Sequence, residues 1–138
     1  MIVRVLFPST VGRVVSVIRS TLTAAYSDGL KVQGELPVAA QRTKRMVTVA
    51  DNSGPDDVTQ TRRRYGVNVW AETAVIAEQM ALLAMAGLRA CPDGKPITAT
   101  DSFSGPSRVD DDPPMAVSNV NLSHYFFVFR LTARGSNF

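Results

Sequence analysis

Downstream of Pro8, apolar residues recur at Val11, Val14, Val15, Ile18, Leu22 and Ala25. That is the i, i+3, i+4, i+7 stripe of an amphipathic helix, with Arg13, Ser16, Arg19, Ser20 and Thr23 largely opposite. Ser9 or Thr10 suits its N-cap, and Ser27-Asp28-Gly29 supplies a glycine stop. Valine is a mediocre helix former, so tertiary packing has to hold this segment. A second helix is expected from Ala74 to Ala90 behind Thr73, rich in Ala, Leu and Met, with Ile76, Met80, Leu83, Ala84 and Leu88 as its core-facing stripe. Pro92-Asp93-Gly94 then forces a turn.

Strands fill the remainder. Leu30–Leu36 is a short candidate ended by Pro37. Arg45–Asp51 and Thr61–Ala71 read as an antiparallel hairpin around a long polar tip, and Ile97–Phe103 is a further strand. Tyr65, Val67, Val69 and Ala71 alternate with Arg64, Gly66, Asn68 and Trp70, as a sheet with one wet face requires. In the last strand, His124–Ala133, Tyr125, Phe127, Phe129 and Leu131 share one face while Phe126 and Val128 take the other. The pattern predicts an α+β fold: a mainly antiparallel sheet of four to five strands with two helices packed on one face, in a single domain over residues 1–138.

Two features do not fit a minimal domain of this kind. Long polar loops at 52–60 and 104–123 make two arms on a small body, and such arms suit partner contact better than a buried catalytic pocket. Phe126 and Val128, with Trp70, also put apolar side chains on the face away from the helices, where something has to cover them. The cover is either a neighbouring molecule, the reading taken here, or the Asp110-rich loop of the same chain.

Composition narrows the chemistry. The chain has 138 residues, 45% of them apolar, and a net charge of +3. That is enough to bury a sizeable core without staples. Cys91 is the one cysteine and His124 the one histidine, which removes intrachain disulfides, multi-Cys zinc sites and two-His metal sites. The start is too short for a signal peptide, and no stretch reaches the length of a membrane span. Asp110-Asp111-Asp112 has the ligands a hard cation prefers, but three consecutive residues rarely converge on one ion. Neither a G-x-S-x-G elbow nor a glycine-rich phosphate loop accompanies His124. Arg62-Arg63-Arg64, with Arg42, Lys44 and Arg45, is the one basic concentration. It lacks the interleaved aromatics of an RNA-reading sheet apart from Tyr65 and Trp70. The expectation is a protein without catalytic, cofactor or metal residues.

The phrase Arg63-Arg64-Tyr65-Gly66-Val67-Asn68-Val69-Trp70-Ala71 running into an Ala-rich helix, a proline before a Val-rich first helix, and a final aromatic strand resemble the tail terminator proteins of long-tailed bacteriophages, especially those infecting actinobacteria. The resemblance runs from about Pro8 to Arg134. It implies a virion structural subunit that closes into a hexameric ring at the tail–neck junction, after assembly in the host cytoplasm. Such a ring caps the tail tube, stops its polymerisation and offers the head-joining surface. Its partners would be copies of itself, the major tail tube protein and a neck or head-closure protein, with genomic DNA passing through the lumen without specific binding. The candidate subunit-interface residues are Arg62, Arg64, Trp70, Asp110, Asp111, Asp112, Phe126 and Val128. The alternatives are another neck component, such as a head-closure or head–tail adaptor protein, and then a basic nucleic-acid-binding module.

Overall fold

The computed structural model describes residues 5–6, 10–51, 60–90, 97–134 and 136–137, with side chains described over 11–51, 64–90 and 103–130. The 52–59 tip, Cys91 and the Pro92-Asp93-Gly94 turn therefore lie outside the described residues. A two-residue strand, β1 (Val5–Leu6), precedes helix α1 (Thr10–Tyr26). The valine stripe behaves as its period demands: Val14, Val15, Ile18 and Leu22 are buried and Val11 is half-buried. Ala25 is exposed, contrary to expectation. Tyr26 packs on the core in its place, and its hydroxyl donates to Gln79 Oε1 at 2.8 Å. Gly29 then takes a φ of +69°, the left-handed geometry that turns the chain after a helix.

Strand β2 (Leu30–Gln33) stops three residues earlier than the pattern predicts. It pairs parallel to β3 (Arg45–Asp51), so the chain must leave the sheet and return along the same direction. Residues 34–44, with a 3-10 turn at Ala39–Gln41, make that return. Strand β3 pairs antiparallel with β4 (Gln60–Ala71), as the hairpin reading requires. Helix α2 (Ala74–Arg89) follows, capped by Thr73, whose hydroxyl accepts from the Ile76 amide at 3.2 Å. Its buried stripe is Ala77, Met80, Ala81, Ala84, Met85 and Leu88, whereas Ile76 and Leu83 are only partly buried. The stripe is rotated toward the alanines because small side chains allow the closest approach to the sheet.

Strand β5 (Ile97–Val109) runs well past the expected end at Phe103. Three register shifts against its neighbour break the alternation, one of them around Gly105-Pro106. Strand β5 lies at the sheet edge, where proline is tolerated. Gly105 has a φ of +104°, and a Cβ there would stand 2.9 Å from the Phe126 carbonyl oxygen, so only glycine fits the bulge. A small hairpin, β6 (Ala116–Val117) and β7 (Val120–Asn121), replaces the irregular coil expected downstream. The chain then enters β8 (Ser123–Arg134), and β9 (Ser136–Asn137) pairs with β1.

The fold is α+β, with five strands in the order β2-β3-β4-β8-β5, antiparallel except for the first pair. One buried cluster joins the α1 and α2 stripes to Val32, Val47, Val49, Tyr65, Val67, Val69, Ala71, Phe127 and Phe129. Register places those sheet residues on a single face. The side chain of Leu131, expected to share it, is outside the described set.

An ion pair fastens the start of β3 to the β4–α2 junction. Arg45 Nη2 donates to Glu72 Oε1 at 2.7 Å, and Nε lies 3.1 and 3.3 Å from the two carboxylate oxygens. The Arg45 hydrogen bond holds the Glu72 carboxyl below its ordinary value of 4.5, with burial opposing. A group whose value is lower in the folded state stabilises above its unfolded value and stops doing so as pH falls through the folded one. Glu72→Gln is therefore expected to cost about 1 kcal/mol at neutral pH. It should cost nothing once both values are passed on acidification, a convergence that urea unfolding at pH 7 and at a series of falling pH values measures.

Candidate functional site

The sheet face away from the core cluster carries the functional candidates. Register arranges it in cross-strand rows. The first is Met46, Trp70, His124 and Val109; the second is Thr48, Asn68, Phe126 and Ser107. Ala50, Gly66, Val128 and Ser104 form the third, and beyond them Arg64 stands directly opposite Arg130. The rows pass from apolar through small residues to basic, and each end bears a different chemistry.

At the apolar end the chain covers its own face. Trp70 is 6% exposed and Met46 fully buried, both under Leu122, with Met115 and Val117 packed alongside. Trp70 is therefore corrected from an interface candidate to a buried residue. Residues 110–122 form a strap over it, folded back by the β6–β7 hairpin and closed by the Leu122 amide donating to the Met115 carbonyl at 2.7 Å. For this end of the face, the same-chain cover is the correct one. Phe126 and Val128, farther along, are half-buried and, among the described residues, are not part of the Met46–Trp70–Leu122 cluster.

The three strap aspartates diverge. Asp110 has a 95% exposed side chain, held 3.8 Å from Arg108, and Asp112 is exposed. Asp111, expected to project with them, turns inward instead: its Oδ2 lies 3.0 Å from His124 Nδ1. Among the described residues no three metal-capable side chains converge. His124 Nε2 lies 2.7 Å from Asn68 Oδ1, and the imidazole stacks on Trp70 with ring centroids 4.4 Å apart and planes 20° apart. Both ring nitrogens are thus engaged, and the ring is only 9% exposed. Its chemistry is that of a tie between strap and sheet. Shallow hollows flank it, one of about 480 Å³ bordered by Arg42, Trp70 and Asp112, the other of about 270 Å³ bordered by Arg108, Asp110 and His124.

At the opposite end, Arg64 and Arg130 are exposed. Position 62 continues the row on β4, opposite Thr132, but its side chain is outside the described set. Like charges directly opposed across two strands are unfavourable unless screened or met by anions. Arg130 and Asn68 are the residues that sequence reasoning missed as partners of this face. Their signal was present in the alternation of β8 and β4, but only register across the strands shows what each one faces.

Compared with known protein-family models and with curated proteins, the chain matches none. Among the described residues, no helix is long and apolar enough to cross a membrane.

Proposed function

We propose that this chain is a structural subunit of a bacteriophage virion. It assembles as a hexameric ring of the tail-terminator kind at the tail–neck junction, capping the tail tube and presenting the head-joining surface. The observation that carries the reading is the polarity of the outer sheet face, acidic where Asp110 and Asp112 stand exposed and basic where Arg64 opposes Arg130. Along β8 the run from His124 to Arg130 spans about 20 Å. Two unlike patches that far apart on one subunit can meet head to tail between copies, and a rotation closes such contacts into a ring. Charge complementarity of this type sets register and suppresses wrong pairings. Half-buried Phe126 and Val128 between the two ends would add apolar area to the same contact. The resemblance in the Arg63–Ala71 phrase and the helix behind it supports the same assignment. Enzymatic function is not part of this reading.

A charge exchange tests it. Arg130→Glu alone and Asp112→Lys alone are each expected to abolish rings in mass photometry of the protein mixed with tail tubes. Combined in one chain, the two changes should restore them. Electron microscopy of that mixture should place the ring at one tube end. Normal assembly of both single variants, or protein found only along the tube wall, would overturn the assignment.

A further inference from the structure

We infer that the free edge of β2 is a docking site for an extended acidic segment of another protein, added to the sheet as a further strand. The inference is independent of the ring reading, which concerns the outer face of the sheet and not this edge.

The two edges of the sheet are built differently. Strand β5 closes one side with Pro106, a glycine bulge and three register shifts against β8. Bulges and proline of that kind keep an edge from pairing. Strand β2, at the other end of the sheet order, has neither: its four residues pair with residues 45–48 in unbroken register. Main-chain groups alternate along it between β3 and the open side. The Leu30 amide turns away to the Ser27 carbonyl at 3.2 Å, and the Val32 carbonyl accepts from Arg19 Nη2 at 2.7 Å. Positions 30 and 32 therefore face outward. The Val32 amide and the Leu30 carbonyl have no partner there among the described residues. An edge in that state is a template for strand addition.

The space beside the edge fits an occupant of one sign. A groove of about 290 Å³ lies between α1 and β2, with Arg19, Thr23 and Ser27 on one wall and Leu30–Gln33 on the other. Among the described residues its lining holds two cations, Arg19 and Lys31, and no acid. Helix α1 bears Arg13 and Arg19 and no acidic residue along its whole length. Asp28, next in sequence to the groove, is taken by Lys44 at 2.7 Å. Lys31 shares the outer face with Met46 and donates to the Gln41 carbonyl, whereas Arg19 comes from the helix side. An added strand thus meets a cation on each of its faces. Arg19 also acts as a stopper on the Val32 carbonyl. When the incoming amide replaces it there, an acidic side chain receives the released guanidinium. That exchange loses no hydrogen bond at Val32 and adds a charge-assisted one.

The probe is a fluorescein-labelled peptide of about eight alternating threonine and glutamate residues, titrated into the intact protein. Anisotropy should report saturable binding that Arg19→Glu weakens about ten-fold. Arg130→Glu, the same charge change on the outer face, should leave it within about two-fold. The threonine–lysine analogue, and the acidic peptide N-methylated at every amide, should each bind about ten-fold more weakly or worse. In amide exchange followed by NMR, Val32 should exchange freely in the protein alone and slow about ten-fold or more at saturation. Equal binding of the N-methylated peptide would reduce the site to diffuse charge and overturn the inference. So would a Val32 amide already protected without peptide, which would assign the edge to this chain, or to a second copy where protection rises with protein concentration. Absence of binding at millimolar peptide would overturn it as well.

Discussion

Phe129→Ala is expected to cost about 3–5 kcal/mol, the range for emptying a fully buried aromatic site, and to lower the melting temperature by roughly 10–20 °C. Phe129 has no exposed surface and sits where three strands meet. On β4 its cross-strand partner is Tyr65, with ring centroids 5.3 Å apart, and on β5 it is Phe103 at 5.6 Å. Phe127 lies 6.2 Å away on the same strand, and the Arg89 guanidinium covers Phe103 at 4.4 Å. Truncation therefore removes several ring contacts, each worth about 0.5–1.5 kcal/mol beyond area burial. It also leaves a void that two rigid neighbouring strands cannot close. Urea unfolding monitored by circular dichroism measures the loss, and a change below 1 kcal/mol would show that the aromatic ladder can repack. Arg130→Glu on the opposite face should move stability by no more than about 0.5 kcal/mol. That contrast separates the side of the sheet that holds the fold from the side proposed as the contact between copies.

What could be read from the sequence was what local periodicity dictates. Thr73 announced α2 because a hydroxyl before an Ala-rich run has one obvious amide to accept from. The alternation from Tyr65 to Ala71, and again from Tyr125 to Phe129, fixed which side chains face the core, since a strand has only two sides. Strand β5 was cut short at Phe103 because no alternation continues through Gly105-Pro106. On an edge strand those residues instead form a bulge, after which pairing resumes at Ser107. The strap was opaque for a different reason. Its Ser118-Asn119 turn puts φ above zero at two residues, a geometry usually signalled by Asn-Gly or Gly-Gly, and its contact joins its own Leu122 to Met46 and Trp70 on two distant strands. No window of sequence contains that contact. The interface candidates divided accordingly. Arg64, Asp110 and Asp112 lie exposed as pattern and polarity implied, whereas Trp70 and Asp111 were claimed by long-range packing and by His124.

Gly87→Val is expected to cost about 3 kcal/mol, and the reason is the seam between the two helices. A Cβ at Gly87 would overlap Thr21 Oγ1 and stand 2.8 Å from Thr21 Cγ2 and 3.0 Å from its Cβ. The threonine cannot swing away cheaply: it is β-branched, and its hydroxyl donates to the Val17 carbonyl at 2.8 Å. Alanine is intrinsically better in a helix than glycine by about 1 kcal/mol. Gly87→Ala thus sets that gain against overpacking of about 1–3 kcal/mol, and a net loss near 1 kcal/mol is expected. Valine adds two methyl groups to the same overlap. If the obstruction is Thr21 and nothing else, Thr21→Ala should rescue Gly87→Ala and leave the double variant at least as stable as the parent, a strongly non-additive cycle. A Gly87→Ala protein already as stable as the parent would mean that α1 and α2 have slack between them. Failure of Thr21→Ala to rescue would put the obstruction in the helix backbones, whose spacing no single side chain could then restore.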